Sequence, residues 1–302
     1  MKFVRIPGLS IVLLGALALL GCSGGAVDRG APPATAEETV KWVADGLAAN
    51  DPTVVWDALP ASYQADVSSI LHEFAGKVDP GVWNQSVGVL QQFSGVLRDK
   101  KEYWLNSSVL PEEIKDPEVA ANWDAMVGFM DTLFGSELAD VEALKSLDLR
   151  QFLAGTGNRL MEQGNSLTAL SPDAQEDVGW NKLSQLTATK LQEEDGIVTV
   201  KVEVPDETPR EMPFIRLEER WVPKEMADDW PTDMAELRET VARMDPAASG
   251  QSTTQIKMFL SMLEGFLGQI DAAGSQEEFD RTLTEGGAPL LFGAMMMGQG
   301  AE

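Results

Sequence analysis

The residue types on which catalytic and metal chemistry is most often built are scarce in this chain. One cysteine and one histidine occur in 302 residues. That excludes disulfide frameworks, zinc sites built from Cys and His, and a Cys–His nucleophile pair within one chain. Positive charge is also in short supply, with 23 Lys+Arg against 48 Asp+Glu and a net charge of −25. So acidic a chain repels phosphate backbones, which argues against nucleic acid as a partner. No GxGxxG occurs, and Gly286-Gly287 lacks the lysine of a phosphate-binding loop. The acids nowhere follow the D-x-D-x-D-G spacing of a calcium loop. No cofactor and no metal are expected. What remains is ordinary globular material, 44% apolar and 24% charged.

The first 21 residues read as an export signal. Lys2 and Arg5 form a positive start, and Ser10–Leu20 is an apolar stretch shorter than the ~20 residues that span a bilayer. The stretch ends in Leu19-Leu20-Gly21-Cys22. This junction resembles the lipobox of bacterial lipoproteins, with Leu at −3, a small residue at −1, and then Cys. The resemblance implies diacylglyceryl transfer to the Cys22 thiol, cleavage after Gly21, and acylation of the new N-terminus. Cys22 is the only thiol, and two or three acyl chains anchor stably where one does not. Ser23 follows where inner-membrane retention favours Asp, so the implied address is the outer membrane, facing the periplasm. Loss of Lys2 and Arg5 leaves the mature chain still more acidic.

Residues 22–34 are a flexible tether rich in Gly, Pro and Ala. Residues 35–302 are expected to form a single α+β domain: helical over 35–182, a β-meander over 183–224, and helical again over 225–302. Thr35 with Glu38 has the spacing of a capping box. Asp51-Pro52, Asp79-Pro80 and Asp116-Pro117 each place Asp before Pro at a helix start, whereas Asp245-Pro246 is expected to end one. Tyr63, Val67, Ile70, Leu71, Phe74 and Val78 share one helical face, and Leu149–Leu170 continues the helical period. The period then shortens. Leu183–Gln192 and Ile197–Val204 alternate around Glu194-Asp195-Gly196 as a hairpin. Met212–Leu217 and Arg220–Val222 add a third strand and a short fourth. After Trp230-Pro231, helices are expected at Thr232–Met244 and Thr253–Ile270. The expected architecture is therefore mostly helical, with a small antiparallel meander of three to four strands packed against helices.

Two passages, Trp42–Gln64 and the hairpin Met212–Pro223, resemble the first helices and closing strands of the NTF2-like superfamily of α+β cone folds. That superfamily includes exported domains of unknown function, and the resemblance implies no particular functional residue here.

Helical angles place His72 about 150° from the apolar face of its helix, so a solvent-exposed histidine is expected. Serine-hydrolase chemistry would need it as the base. The densest acids, Asp228-Asp229 and Glu193-Glu194-Asp195, read as solvated turns. Trp42, Trp83 and Trp123 lie among regularly spaced apolar residues and read as core. Thirteen methionines are the one unusual excess. Met295-Met296-Met297 diverge by 100° per residue and do not converge on a metal, so apolar packing accounts for them.

Taken together, these features indicate a lipid-anchored cell-envelope protein acting as a non-catalytic binding or interaction module. The alternative is an envelope hydrolase using paired carboxylates. The expected site for an envelope protein partner, or for self-association, is the segment 253–297. There Met258 and Met262 lie off the docking face of a helix marked by Ile256, Phe259, Leu260, Leu263, Phe266, Leu267 and Ile270. Either the apolar tail at Pro289–Gly298 folds back over these methionines, or they are left outside.

Overall fold

The computed structural model describes residues 30–169, 180–244 and 250–298. The expected export signal, Cys22 and the first part of the expected tether lie outside the described residues, as does Asp245-Pro246. The fold is α+β: predominantly helical, with one four-stranded antiparallel sheet packed against helices. The chain forms two compact units. One joins residues up to Gly76 with Lys145–Arg243, and the other joins Lys77–Leu144 with residues from Met244 onward.

The first unit opens with helix α1 (Ala36–Ala48), whose start is fixed by Thr35, its Oγ1 accepting from the Glu38 N–H. Helices α2 (Thr53–Ala58) and α3 (Ala61–Lys77) follow. Asp51 shapes the turn into α2, its carboxylate accepting from both the N–H (3.1 Å) and the hydroxyl (2.5 Å) of Thr53. The stretch expected to continue the helical period from Leu149 runs as α8 (Leu149–Phe152), a π-helical turn (Leu153–Gly157) and α9 (Asn158–Ala169). Short helix α10 covers Trp180–Leu183. The meander then runs β1 (Thr187–Glu194), β2 (Ile197–Glu203), β3 (Arg210–Leu217) and β4 (Arg220–Pro223), in the order β1-β2-β3-β4. The first strand thus begins four residues later than its alternation suggests, because residues up to Leu183 complete a helical turn.

Period-2 alternation splits the sheet faces. Val198, Val200 and Phe214 are buried with Ala36 of α1, and Val40 and Met212 pack at the edge of that cluster. The edge strand β1 is exposed along nearly its whole length. It is guarded by Lys190, Glu193 and Glu194 and by a bulge between Lys190 and Gln192, the devices that blunt an edge against pairing with other chains.

Helix α11 spans Lys224–Arg243 and includes Pro231, which corrects the expected start at Thr232. Proline removes a helix donor and disfavours helical geometry in the residue before it. Trp230 is nevertheless held in place from outside its own helix. It is buried, its ring stacks on Tyr63 with centroids 3.9 Å apart and planes 4° apart, and its Nε1–H donates to Asp66 at 3.0 Å. Tertiary contacts override the local signal.

The second unit is helical. Its helices are α4 (Pro80–Asp99), α5 (Lys101–Asn106), α6 (Pro117–Phe134), α7 (Val141–Leu144), α12 (Gly250–Ala272) and α13 (Gln276–Gly298). Asp79 and Asp116 cap α4 and α6 as their Asp-Pro steps predict, accepting from Val82 and Glu118 at 2.8 Å each. Helix α4 is central, packing on α6 through Leu97, Trp123 and Val127 and on α12 through Val89, Val96, Leu260 and Leu267. Helix α13 closes the latter cluster with Phe279, which is fully buried. Among the described residues, no helix is long and apolar enough to cross a membrane.

Candidate functional site

The most unusual surface among the described residues is the outer row of α12. The helix buries Leu260, Leu267 and Ile270. Polar ties fix its rotation against α4: Gln85 donates to the Ser261 hydroxyl at 3.0 Å, Gln92 donates to the Glu264 carbonyl at 3.2 Å, and Lys257 pairs with Asp79 at 3.1 Å. With the inner face held there, Gln255, Met258, Met262, Gly265, Gln269 and Ala272 all point outward and all are exposed. Met258 keeps 69% of its surface in water and Met262 keeps 38%. The spacing alternates three and four residues, the repeat of a helix–helix seam. None of the six is charged, in a chain with 48 acids. The three charges in this part of the helix, Lys257, Glu264 and Asp271, recur every seven residues along a different line.

The other candidates from the sequence are dispersed. His72 is half-buried rather than free in solvent, and its Nε2 donates to the Leu147 carbonyl at 3.1 Å. This corrects the expected exposure: the helical angle alone does not reveal that the segment around Leu147 covers that side of α3. Asp228 pairs with Lys224 one turn away, and Glu193 pairs with Lys190. Asp195 and Gly196 adopt positive φ at the tip of the β1–β2 hairpin. Among the described residues, no three of His, Cys, Asp and Glu are grouped as a metal would require. Trp123 is core, donating to the Leu97 carbonyl at 2.8 Å, and Trp83 is half-buried and donates to the Leu138 carbonyl at 2.9 Å. Trp42 is half-buried, with its Nε1 shielded and unpaired.

Carboxylates that the fold does position were invisible in the sequence, because each meets residues far along the chain. Asp57 takes two bonds from Arg150, at 2.7 and 2.8 Å. Asp66 accepts from Trp230 and Arg238. Asp280 accepts from the hydroxyls of Ser107 and Ser108 at 2.7 Å each, from the Ser108 N–H at 3.0 Å and from Gln276 at 3.0 Å. Desolvation opposes the Asp280 charge, but these four donors outweigh it and hold the carboxyl down at about 2. In each case the carboxylate serves as a structural clasp.

No protein-family model, no curated protein and no solved structure matches the chain. The site is therefore read from its own geometry.

Proposed function

We propose that the mature chain is a lipid-anchored protein of the bacterial cell envelope, attached through Cys22 to the outer membrane and facing the periplasm, where it acts as a non-catalytic interaction module. The address rests on the export signal and the Leu19-Leu20-Gly21-Cys22 junction. The tether ends where the fold grips the chain: Trp221 donates to the Ala34 carbonyl at 2.7 Å, and Thr39 donates to the Pro33 carbonyl at 3.4 Å. The dozen residues between Cys22 and that grip reach at most ~40 Å, which keeps the first unit close to the bilayer.

The observation that carries the interaction reading is the exposure of Met258 and Met262 on an uncharged helical row. Adaptable thioether side chains held in water are typical of binding faces. Asp57, Asp66 and Asp280 are each engaged by donors from elsewhere in the fold, which favours this reading over a hydrolase that needs a carboxylate left available to substrate.

Intact mass of the protein from a host with lipoprotein machinery tests the anchor. A chain beginning at Cys22 and carrying acyl groups is expected, and Cys22→Ser should leave the membrane fraction still folded. Cleavage elsewhere with a free thiol would refute the anchor. For the interaction module, Met258→Glu should leave the melting temperature unchanged. A large loss would place Met258 in the core and remove the binding face.

A further inference from the structure

The geometry points to a proline-peptide seat at Trp221 on β4, closed in this structure by the chain's own residues 31–34 and open to a proline-containing peptide once that strap lifts. The inference concerns the first unit alone and does not depend on acylation of Cys22.

The chemistry of the strap is set by its sequence. Residues 31–34 are Ala-Pro-Pro-Ala and carry no charge, in a chain with 48 acids. Proline fixes its own φ and biases the residue before it towards extended backbone, so this segment is preset before it docks. Pro32 and Pro33 also lack an N–H, so covering them strands no donor, while their carbonyls can still accept. Both prolines are half-buried, whereas Ala31 and Ala34 on either side are exposed. The prolines are therefore the part of the strap that the fold covers. Just upstream, Gly30 has a φ of 73°, a turn that only glycine makes cheaply, and it ends the docked segment.

The receiving surface is built by the sheet and α1. Trp221 is half-buried and packs against the cluster of Ala36, Val198, Val200 and Phe214. Its Nε1–H donates to the Ala34 carbonyl at 2.7 Å, across 187 positions of sequence. Thr39 supplies a second donor, to the Pro33 carbonyl at 3.4 Å. An aromatic ring whose one N–H is aimed at a carbonyl of an extended proline segment is how proline-rich peptides are recognised, and here the ligand is carried in cis.

Release of the strap does not require unfolding. The Thr39 hydroxyl bonds the Thr35 carbonyl more closely, at 2.9 Å, and Thr35 caps α1 through its own side chain. Neither contact passes through residues 31–34, so the strap can lift from Trp221 while α1 and the sheet stay formed. Continuity with α1 holds the closed strap at an effective concentration on the order of millimolar, so a separate peptide competes poorly until the strap is weakened.

Hydrogen exchange of the indole N–H groups, followed by NMR in the full-length Cys22→Ser chain, tests this. Trp221→Phe identifies the Trp221 signal among the eight tryptophans. In the parent that N–H should exchange at least ~10-fold more slowly than a free indole. Pro32→Gly with Pro33→Gly should remove the protection and leave the melting temperature within a few degrees. A synthetic peptide Gly-Ala-Pro-Pro-Ala-Thr, added to millimolar concentration, should then restore protection in the glycine variant and leave the parent unchanged. The same peptide with glycine at both proline positions should restore nothing. Five results would each overturn the inference: an unprotected Trp221 N–H in the parent, protection that survives the glycine substitutions, a glycine variant that melts far below the parent, a variant indifferent to the proline peptide, or an equal response to both peptides. The Cys22→Ser chain cannot be acylated, so the outcome is read separately from that of the lipid anchor.

Discussion

The carboxylate of Glu218 accepts a hydrogen bond from the backbone N–H of Ser62 at 3.0 Å, across 156 positions of sequence. Glu218 and Glu219 form the two-residue turn between β3 and β4, and both have positive φ, 46° and 66°. That turn type normally takes Asn-Gly, because only small or glycine residues enter the left-handed region cheaply. Here the strain places Glu218 over the first turn of α3, where helix N–H groups lack partners. Bonds from the Ser62 side chain and backbone hold its carboxyl below the usual glutamate range. Glu218→Ala should therefore lower the melting temperature. Glu219→Gly should raise it, because it relieves the backbone without touching the cap. Thermal scans of the two variants give opposite shifts if this account is right.

Acid should weaken the fold in a defined window. A carboxylate whose folded pKa is depressed contributes stability above its unfolded pKa, near 4, and loses it as pH falls through the folded value. For Asp280 that value is about 2, so its contribution disappears between about pH 4 and pH 2. Asp280→Asn should be less stable than the parent at pH 7, and the two should converge by pH ~2. Denaturant midpoints measured across that range check the prediction. A constant gap at all pH values would mean that packing, not charge, is what the substitution removes.

Two glycines should respond in opposite directions. A Cβ on Gly46 in α1 would lie 2.3 to 2.9 Å from three side-chain carbons of Val54, itself 1% exposed. Gly46→Ala therefore overpacks the α1–α2 contact and should cost about 1–3 kcal/mol despite alanine's helix propensity. Gly128 in α6 has open space around the same position. Gly128→Ala should gain about 0.5–1 kcal/mol. Chemical denaturation of both settles the comparison, and equal signs would contradict it.

Asp66 is the shared acceptor for a buried indole and a guanidinium. Asp66→Ala leaves the Trp230 N–H without a partner beside Pro231. The buried donor should cost about 1–3 kcal/mol. Loss of near-ultraviolet circular dichroism from the Tyr63–Trp230 stack should accompany the loss of stability.

Removal of divalent metal should change little. EDTA is expected to leave the melting temperature within a few degrees, whereas a drop of more than ~10 °C would reveal linked binding at carboxylates.

Local chemistry made much of the fold legible. Thr35, Asp79 and Asp116 cap helices because the bonds involved span two or three residues, and Asp195-Gly196 closes a hairpin for the same reason. The four strands follow from period-2 alternation, and the exposed methionines of α12 follow from the 3.6-residue period once its docking face is assigned. Tertiary structure alone decided the rest. Pro231 lies inside a helix because Tyr63 and Asp66 hold Trp230, and His72 is half-buried because the Leu147 segment passes over it. Glu218 caps a helix 156 residues away in sequence, and Gln85, Gln92 and Asp79 set which row of α12 faces water. Each of these is a contact between residues distant along the chain, chosen by which surfaces bury most apolar area while satisfying the polar groups enclosed with them. No periodicity or spacing along a single segment carries that information.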